Sequence, residues 1–255
     1  MSDIFEIGDL KLNSRLLVGT AMFPNQQTMV DAIQASGSEF VTVSIRRISM
    51  EQYNESPIDL LKGYNILPNT AGCETPKDVI LTANLARESL ETNWIKLELI
   101  ADRQTLYPDV ENIVDVAEEL VKDGFNVLPY CTDDPIICKK LADVGCKAVM
   151  PLGAPIGTGL GICNPYNIEL ICKNSSVPVI LDAGIGTPSD ATRAMELGCS
   201  AVLLNTAISK SEDPVLMASA FKDAVSAGRK GYLSGRMAKK FHAEASSPQM
   251  GLIGG

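Results

Sequence analysis

NWIKLELI, residues 93–100, is an apolar run interrupted by charge: Lys96 and Glu98 alternate with Ile95, Leu97 and Leu99. Side chains alternate across a strand, so the aliphatics share one face and the two charges the other, about 6.6 Å apart along the chain. Runs of similar length recur at RLLVGT (15–20), FVTVSI (40–45), NILPNT (65–70), NVLPYC (126–131), KAVMPLG (147–153), PVILDAG (178–184) and AVLLNTA (201–207). With WIKLELI (94–100) they number eight. Their starts lie one βα unit apart, too far for hairpins and right for crossover helices, which implies a parallel sheet. Eight such units predict a (β/α)8 TIM barrel, with an open doubly wound sheet as the alternative. In a barrel the aliphatic set packs under the helices, and Lys96 and Glu98 turn into the interior.

The punctuation between the runs agrees. Helices are predicted to stop at Gly37, Gly63, Gly124, Gly145 and Gly198, each shortly before a strand, as a left-handed C-terminal cap requires. They are predicted to start at Thr75-Pro76, Asp134-Pro135, Asn164-Pro165, Thr187-Pro188 and Asp213-Pro214, a capping oxygen followed by proline at the first helical position. The αβ connections are short, whereas the βα connections carry glycines, Arg46, Arg47, Asn69, Asp102, Arg103, Asp133 and the run PLGAPIGTGLG (151–161). In a barrel those loops form the C-terminal face, where ligands bind. No linker marks a second domain, so residues 1–228 read as one barrel. Residues 229–255 are locally basic and read as an extension, either a partly disordered tail or a flap and partner contact.

Composition narrows the classes of function. A chain of 255 residues with 45% hydrophobic and 21% charged residues buries a full core, which excludes a disordered protein. Its formal charge of −9 argues against nucleic acid or an anionic membrane as a general partner, so any anion is met locally. The seven cysteines form no CxxC pair, and the one histidine, His242, stands apart and reads as surface. Odd cysteine number, no apolar leader and no run of about 18 apolar residues predict a reduced, soluble, cytoplasmic protein. Nothing near Cys131 in sequence would lower its pKa, so it reads as structural.

The inward lysine is the first candidate for chemistry. Desolvation lowers a lysine pKa and frees an amine that attacks a carbonyl, while the Glu98 carboxylate pulls the other way. A structural Lys–Glu pair in the barrel floor is the competing reading. Asp182, at the C-terminal end of PVILDAG, sits where barrel catalytic groups lie, or caps the next helix. A lysine and two carboxylates converging from separate strands fit imine chemistry, one group attacking and others moving protons. Downstream, Gly184, Ile185 and Gly186 form a turn whose backbone N–H groups can approach an anion, with a helix opening at Pro188. Asn205 and Thr206 end the eighth strand, in the region where barrels hold phosphate. The glycines also fit turn geometry alone. PLGAPIGTGLG has no Walker lysine and no Rossmann order, so it reads as a covering or mobile loop. Arg46 and Arg47 read either as a carboxylate clamp or as solvated charges.

RLLVGT, LPNTAG, NWIKLELI, GFNVLPYC, PLGAPIGTGLG, PVILDAGIGTPSDA, AVLLNTAI and ASSP, in order from residue 15 to residue 248, closely resemble the motifs of the thiazole synthase family. That family builds the thiazole phosphate of thiamine on a (β/α)8 barrel. The resemblance implies condensation of 1-deoxy-D-xylulose 5-phosphate with dehydroglycine and sulfur, the sulfur arriving as a thiocarboxylate on a small ubiquitin-like carrier protein. It implies that Lys96 forms an imine with the sugar ketone and that Glu98 and Asp182 move protons. It further implies that Gly184, Ile185, Gly186, Asn205 and Thr206 hold the phosphate and that Gly157 belongs to the covering loop. No metal or organic cofactor is implied, and dimers or tetramers are. Thr158 stands where a serine is common in the family, and ADRQTLYPD (101–109) is a variant of a segment that varies there. Competing readings are another Schiff-base lysine barrel, aldolase-like or pyridoxal-phosphate-synthase-like, and a non-catalytic phosphate-metabolite binding protein.

Overall fold

The computed structural model describes residues 3–45 and 57–247 of the 255. Arg46, Arg47 and the terminal Gly254-Gly255 lie outside the described residues. Among those described, a hairpin of β1 (Phe5–Ile7) and β2 (Leu10–Leu12) precedes eight parallel strands. These are β3 (Leu16–Gly19), β4 (Phe40–Ser44), β5 (Asn65–Asn69), β6 (Trp94–Leu97), β7 (Asn126–Cys131), β8 (Met150–Pro151), β9 (Ile180–Asp182) and β10 (Ala201–Leu204). Their order is β8-β7-β6-β5-β4-β3-β10-β9, and parallel bridges Val149↔Val179 and Leu152↔Asp182 join the two ends. The sheet is therefore a closed barrel, and each strand coincides with a run quoted above.

The helices are α1 (Gln26–Ser36), α2 (Pro57–Leu60), α3 (Pro76–Leu90), α4 (Ile113–Lys122), α5 (Pro135–Asp143), α6 (Pro165–Asn174), α7 (Pro188–Glu196), α8 (Thr206–Ser209) and α9 (Pro214–Ser234). Proline occupies the first turn of α3, α5, α6, α7 and α9, each behind the predicted capping residue. Asp134, for instance, accepts from the N–H groups of Ile136 and Ile137. Gly37, Gly63, Gly124, Gly145 and Gly198 all carry positive φ, which an L side chain adopts only with strain. Gly228 behaves differently. Helix α9 runs through it to Ser234, and a Cβ there would stand 2.4 Å from the Thr192 carbonyl oxygen, so the glycine is a packing notch against α7.

Alternation sorts every barrel strand into two faces. Outward residues such as Val18, Val41, Val43, Ile95, Leu97, Val127, Val149, Leu181 and Val202 pack beneath the helices in one large core. Inward residues divide by height. Leu17, Phe40, Leu67, Trp94, Leu128, Met150, Ile180 and Ala201 form an apolar floor, sealed by Phe5, Ile7 and Leu12 of the hairpin. Two residues further along β3, β4, β5, β6 and β9 the interior turns polar or small, at Gly19, Thr42, Asn69, Lys96 and Asp182, while Tyr130, Leu152 and Leu203 keep the β7, β8 and β10 side largely apolar. Asp3, just before the hairpin, pairs bidentately with both Arg15 and Arg229, tying the first residues to β3 and α9. No helix among the described residues is long and apolar enough to cross a membrane.

Candidate active site

Above the apolar floor lies a cavity of about 540 Å³, open at the C-terminal ends of the strands. Lys96 enters it from β6, Glu98 from the residue following β6, and Asp182 from the end of β9. They are 5%, 7% and 3% exposed, so each gives up nearly all of its hydration. Lys96 Nζ lies 2.6 Å from Asp182 Oδ2 and 3.1 Å from Glu98 Oε1. Burial works against the ammonium, but the Asp182 and Glu98 charges and hydrogen bonds together outweigh it, and the Lys96 pKa stands above the ordinary lysine value. Burial likewise pushes Asp182 above the usual carboxylate range, against the pull of Lys96. The amine that the sequence turned inward is inward, and it is held as an ammonium by two carboxylates. Asp182 has a proton-accepting role open to it because its raised pKa narrows the gap to the amine.

The backbone around this triad is fixed by short bonds and by strain. Thr70 Oγ1 both donates to the Glu98 carbonyl and accepts from the Glu98 N–H, each at 2.8 Å, which anchors Glu98 across to β5. Ala183, directly after Asp182, has φ 69°, a left-handed conformation that costs a non-glycine residue about 1 kcal/mol or more. Its carbonyl accepts from Gly153 N, joining the turn after β9 to the loop after β8.

All six expected phosphate-side residues line the same cavity: Gly157, Gly184, Ile185, Gly186, Asn205 and Thr206. Their roles differ. Gly186 gives its N–H to Asp190 Oδ2 at 3.0 Å, as does Thr187, so the start of α7 is already capped by a carboxylate. Gly186 matters for closeness instead, since a Cβ there would meet the Gly159 carbonyl oxygen at 2.5 Å. A Cβ on Gly184 would meet Ala154 N at 2.3 Å, and the Gly184 carbonyl accepts from Gly161 N. These glycines therefore let the covering loop lie backbone to backbone on the turn after β9. Among the described residues the N–H groups of Gly184, Ile185, Thr206 and Ala207 have no acceptor, and all four residues line the cavity. Lys210, exposed and following α8, adds positive charge on that side.

Sequence reasoning missed several groups in or beside the cavity. Tyr130 is fully buried, and its ring centroid lies 5.8 Å from Lys96 Nζ, within cation–π range. It stands two residues after Leu128 on an inward face, so alternation could have found it. Thr42 was recoverable in the same way from FVTVSI, while Asn69, read above on the ligand-binding face, lines the cavity as well. Gly19 has no side chain where one would press on Asn205 Cβ at 2.7 Å, a contact no local pattern reveals. Cys131 faces the outer core, where burial pushes its thiol well up, and His242 is exposed.

Comparison with known proteins adds an independent line. The family model described as Thiazole biosynthesis protein ThiG matches residues 6–248. A thiazole synthase of Azorhizobium caulinodans is 63% identical over 255 residues, covering 100% of this chain and 96% of that protein. One of Sorangium cellulosum is 54% identical over 255 residues, covering 99% of this chain and 98% of that one. In the crystal structure of the Amycolatopsis orientalis BexX/CysO complex, a chain 30% identical superimposes with a TM-score of 0.84, over 93% of this chain and 98% of that one.

Proposed function

The chain belongs to the Thiazole biosynthesis protein ThiG family and so is an enzyme of thiamine thiazole synthesis, and from that premise we propose that Lys96 captures the ketone of 1-deoxy-D-xylulose 5-phosphate as an imine. The observation that carries the reading is the buried amine between two carboxylates inside a cavity whose far rim offers four unengaged backbone N–H groups. Substrate phosphate would lie against Gly184, Ile185, Thr206 and Ala207, with Asn205 beside them and Gly157 in the loop above. An acidic chain holds an anion in this way through oriented peptide groups.

Attack needs a neutral amine. Lys96 passes a proton to Asp182, whose raised pKa makes the transfer feasible, and the free amine adds to the carbonyl carbon. A carboxylic acid then protonates the resulting hydroxyl, water leaves, and the nitrogen regains its positive charge as an iminium between the same carboxylates. Glu98 and Asp182 go on to move protons as the carbonyl shifts along the sugar and dehydroglycine and sulfur are joined to it. Sulfur would come from a ubiquitin-like carrier with a C-terminal thiocarboxylate. A relative solved as the BexX/CysO complex supports a protein partner. The reading further places the enzyme in the cytoplasm as a dimer or tetramer.

Borohydride reduction in the presence of the sugar phosphate, followed by peptide mass mapping, tests the central step. The wild-type chain is expected to carry the adduct on Lys96, and Lys96→Ala and Lys96→Arg to carry none. The arginine variant keeps a cation between the carboxylates, which separates lost chemistry from lost folding. An adduct on another residue overturns the assignment. Tight phosphate binding with no reducible adduct selects a non-catalytic metabolite-binding protein, and sugar phosphate turnover without the thiocarboxylate carrier selects another lysine barrel.

A further inference from the structure

Neighbouring strands β4 and β5 present a second polar group to the cavity, beside the lysine. Asn69, the register partner of Lys96 across β5 and β6, receives the Ala71 N–H on its Oδ1 at 3.2 Å. Only the amide oxygen can accept that bond, which fixes the orientation of the amide and turns Nδ2 toward Thr42 Oγ1 at 3.0 Å. Thr42 is therefore an acceptor toward Asn69. A hydroxyl also has one proton to give, and among the described residues Thr42 Oγ1 has no acceptor for it. The side chain is 6% exposed and lines the cavity, while its strand neighbours Val41 and Val43 face the helices. Thr20 Oγ1 donates to the Thr42 carbonyl at 3.1 Å, so the backbone at this position is held as well. A buried donor without an acceptor is costly, and a ligand oxygen at the right place recovers that cost.

We propose that Thr42 is a specificity-determining residue that donates its hydroxyl proton to a sugar hydroxyl lying between the carbonyl carbon and the phosphate. The assignment rests on the sugar phosphate reading above and names the part of the ligand recognised by the β4–β5 wall. A site built around one such bond rejects the analogue lacking the hydroxyl, because its own polar group is then left unpaired.

Calorimetric binding of the borohydride-reduced sugar phosphate, whose C2 alcohol forms no imine, reads recognition apart from Lys96 chemistry. Thr42→Val keeps the shape and removes the donor, and is expected to weaken binding about tenfold. Thr42→Ser keeps the hydroxyl and is expected to stay within about twofold. With reduced analogues lacking either the C3 or the C4 hydroxyl, wild type and Thr42→Val are expected to bind alike for one of the two. Equal affinity of wild type and Thr42→Val for the parent ligand overturns the assignment. So does a loss that persists with both deoxy analogues, which would mean that Thr42 acts only by holding Asn69. Failure of the reduced sugar phosphate to bind wild type would instead bring down the sugar phosphate reading itself, and this inference with it.

Discussion

Lys96 stands where two opposing effects meet, and their balance sets the charge of the residue on which the mechanism turns. Burial alone would free the amine, but Asp182 at 2.6 Å and Glu98 at 3.1 Å keep it protonated. The folded-state pKa is raised, so the contribution of this ion pair to stability is fully present below about pH 10 and is lost as pH climbs through the higher value. Asp182→Asn removes one of the two charges that raise it. The Lys96 pKa then falls, and the neutral fraction at any given pH grows. The rise of borohydride-trapped adduct with pH is therefore expected to move about 1 to 3 units toward lower pH. Its plateau rate falls at the same time, because asparagine takes up no proton. Mass measurement of the adduct across a pH series checks both, and a rise left where wild type has it would remove the carboxylate from control of the amine. That Lys96 and Glu98 face inward was legible from alternation in WIKLELI. Which effect would win was not, since it depends on a second strand 86 residues away in sequence whose end places Asp182 against the nitrogen.

Elements were legible in proportion to how locally their causes act. Helix starts are written as a capping oxygen plus proline and helix ends as glycine, and those positions hold. The β1–β2 hairpin went unread because each strand is three residues long and pairs only with the other. Its signal, FEI and LKL flanking Gly8-Asp9, becomes persuasive only once the barrel floor that needs covering is known. Gly228, the last residue read into the barrel, is the opposite case. Its glycine was visible, but its reason is a close approach to α7 from another part of the chain. The phosphate-side glycines combine both lessons, since the turn was readable while the packing of loop on loop was not. Gly184 has φ 81° and room for no Cβ beside Ala154, so Gly184→Ala is expected to cost on the order of 2–4 kcal/mol. The lost ground should appear as a lower unfolding temperature together with weaker binding of inorganic phosphate. A variant that unfolds as wild type and still binds phosphate would show that the two loops part without consequence.

Across the whole molecule, one physical arrangement repeats: an outer apolar face under helices, and an inner face that is apolar at the floor and turns polar at the mouth on the β3–β6 and β9 side. Closure of that arrangement brings the barrel's beginning against its end, where β3 pairs with β10, and Asp3 reinforces that seam. Its carboxylate accepts from Arg15 Nε and Nη2 on one side and from Arg229 Nε and Nη2 on the other, while Arg15 Nη1 donates to the Ser200 carbonyl at 2.8 Å. The Arg229 bonds, with Arg15 in support against a burial that works the other way, hold the Asp3 carboxyl well below the usual carboxylate range. A depressed carboxylate pKa gives stability that is present above about pH 4 and is lost as pH falls below it. Asp3→Asn keeps the size and removes the charge, which leaves Arg15, 8% exposed, without its anionic partner. The variant is expected to lose about 2 kcal/mol at neutral pH, discounted for the partial exposure of Asp3 itself. In a chain of this length that corresponds to a fall of roughly 4–8 °C in unfolding temperature. Repeated below pH 3, the same comparison should show the difference between wild type and variant shrinking, because the unfolded wild-type carboxyl then takes up a proton that the folded, arginine-bound one resists, while the variant has no carboxyl to titrate. A difference that stays constant from pH 7 to pH 3 would mean that shape rather than charge closes the seam.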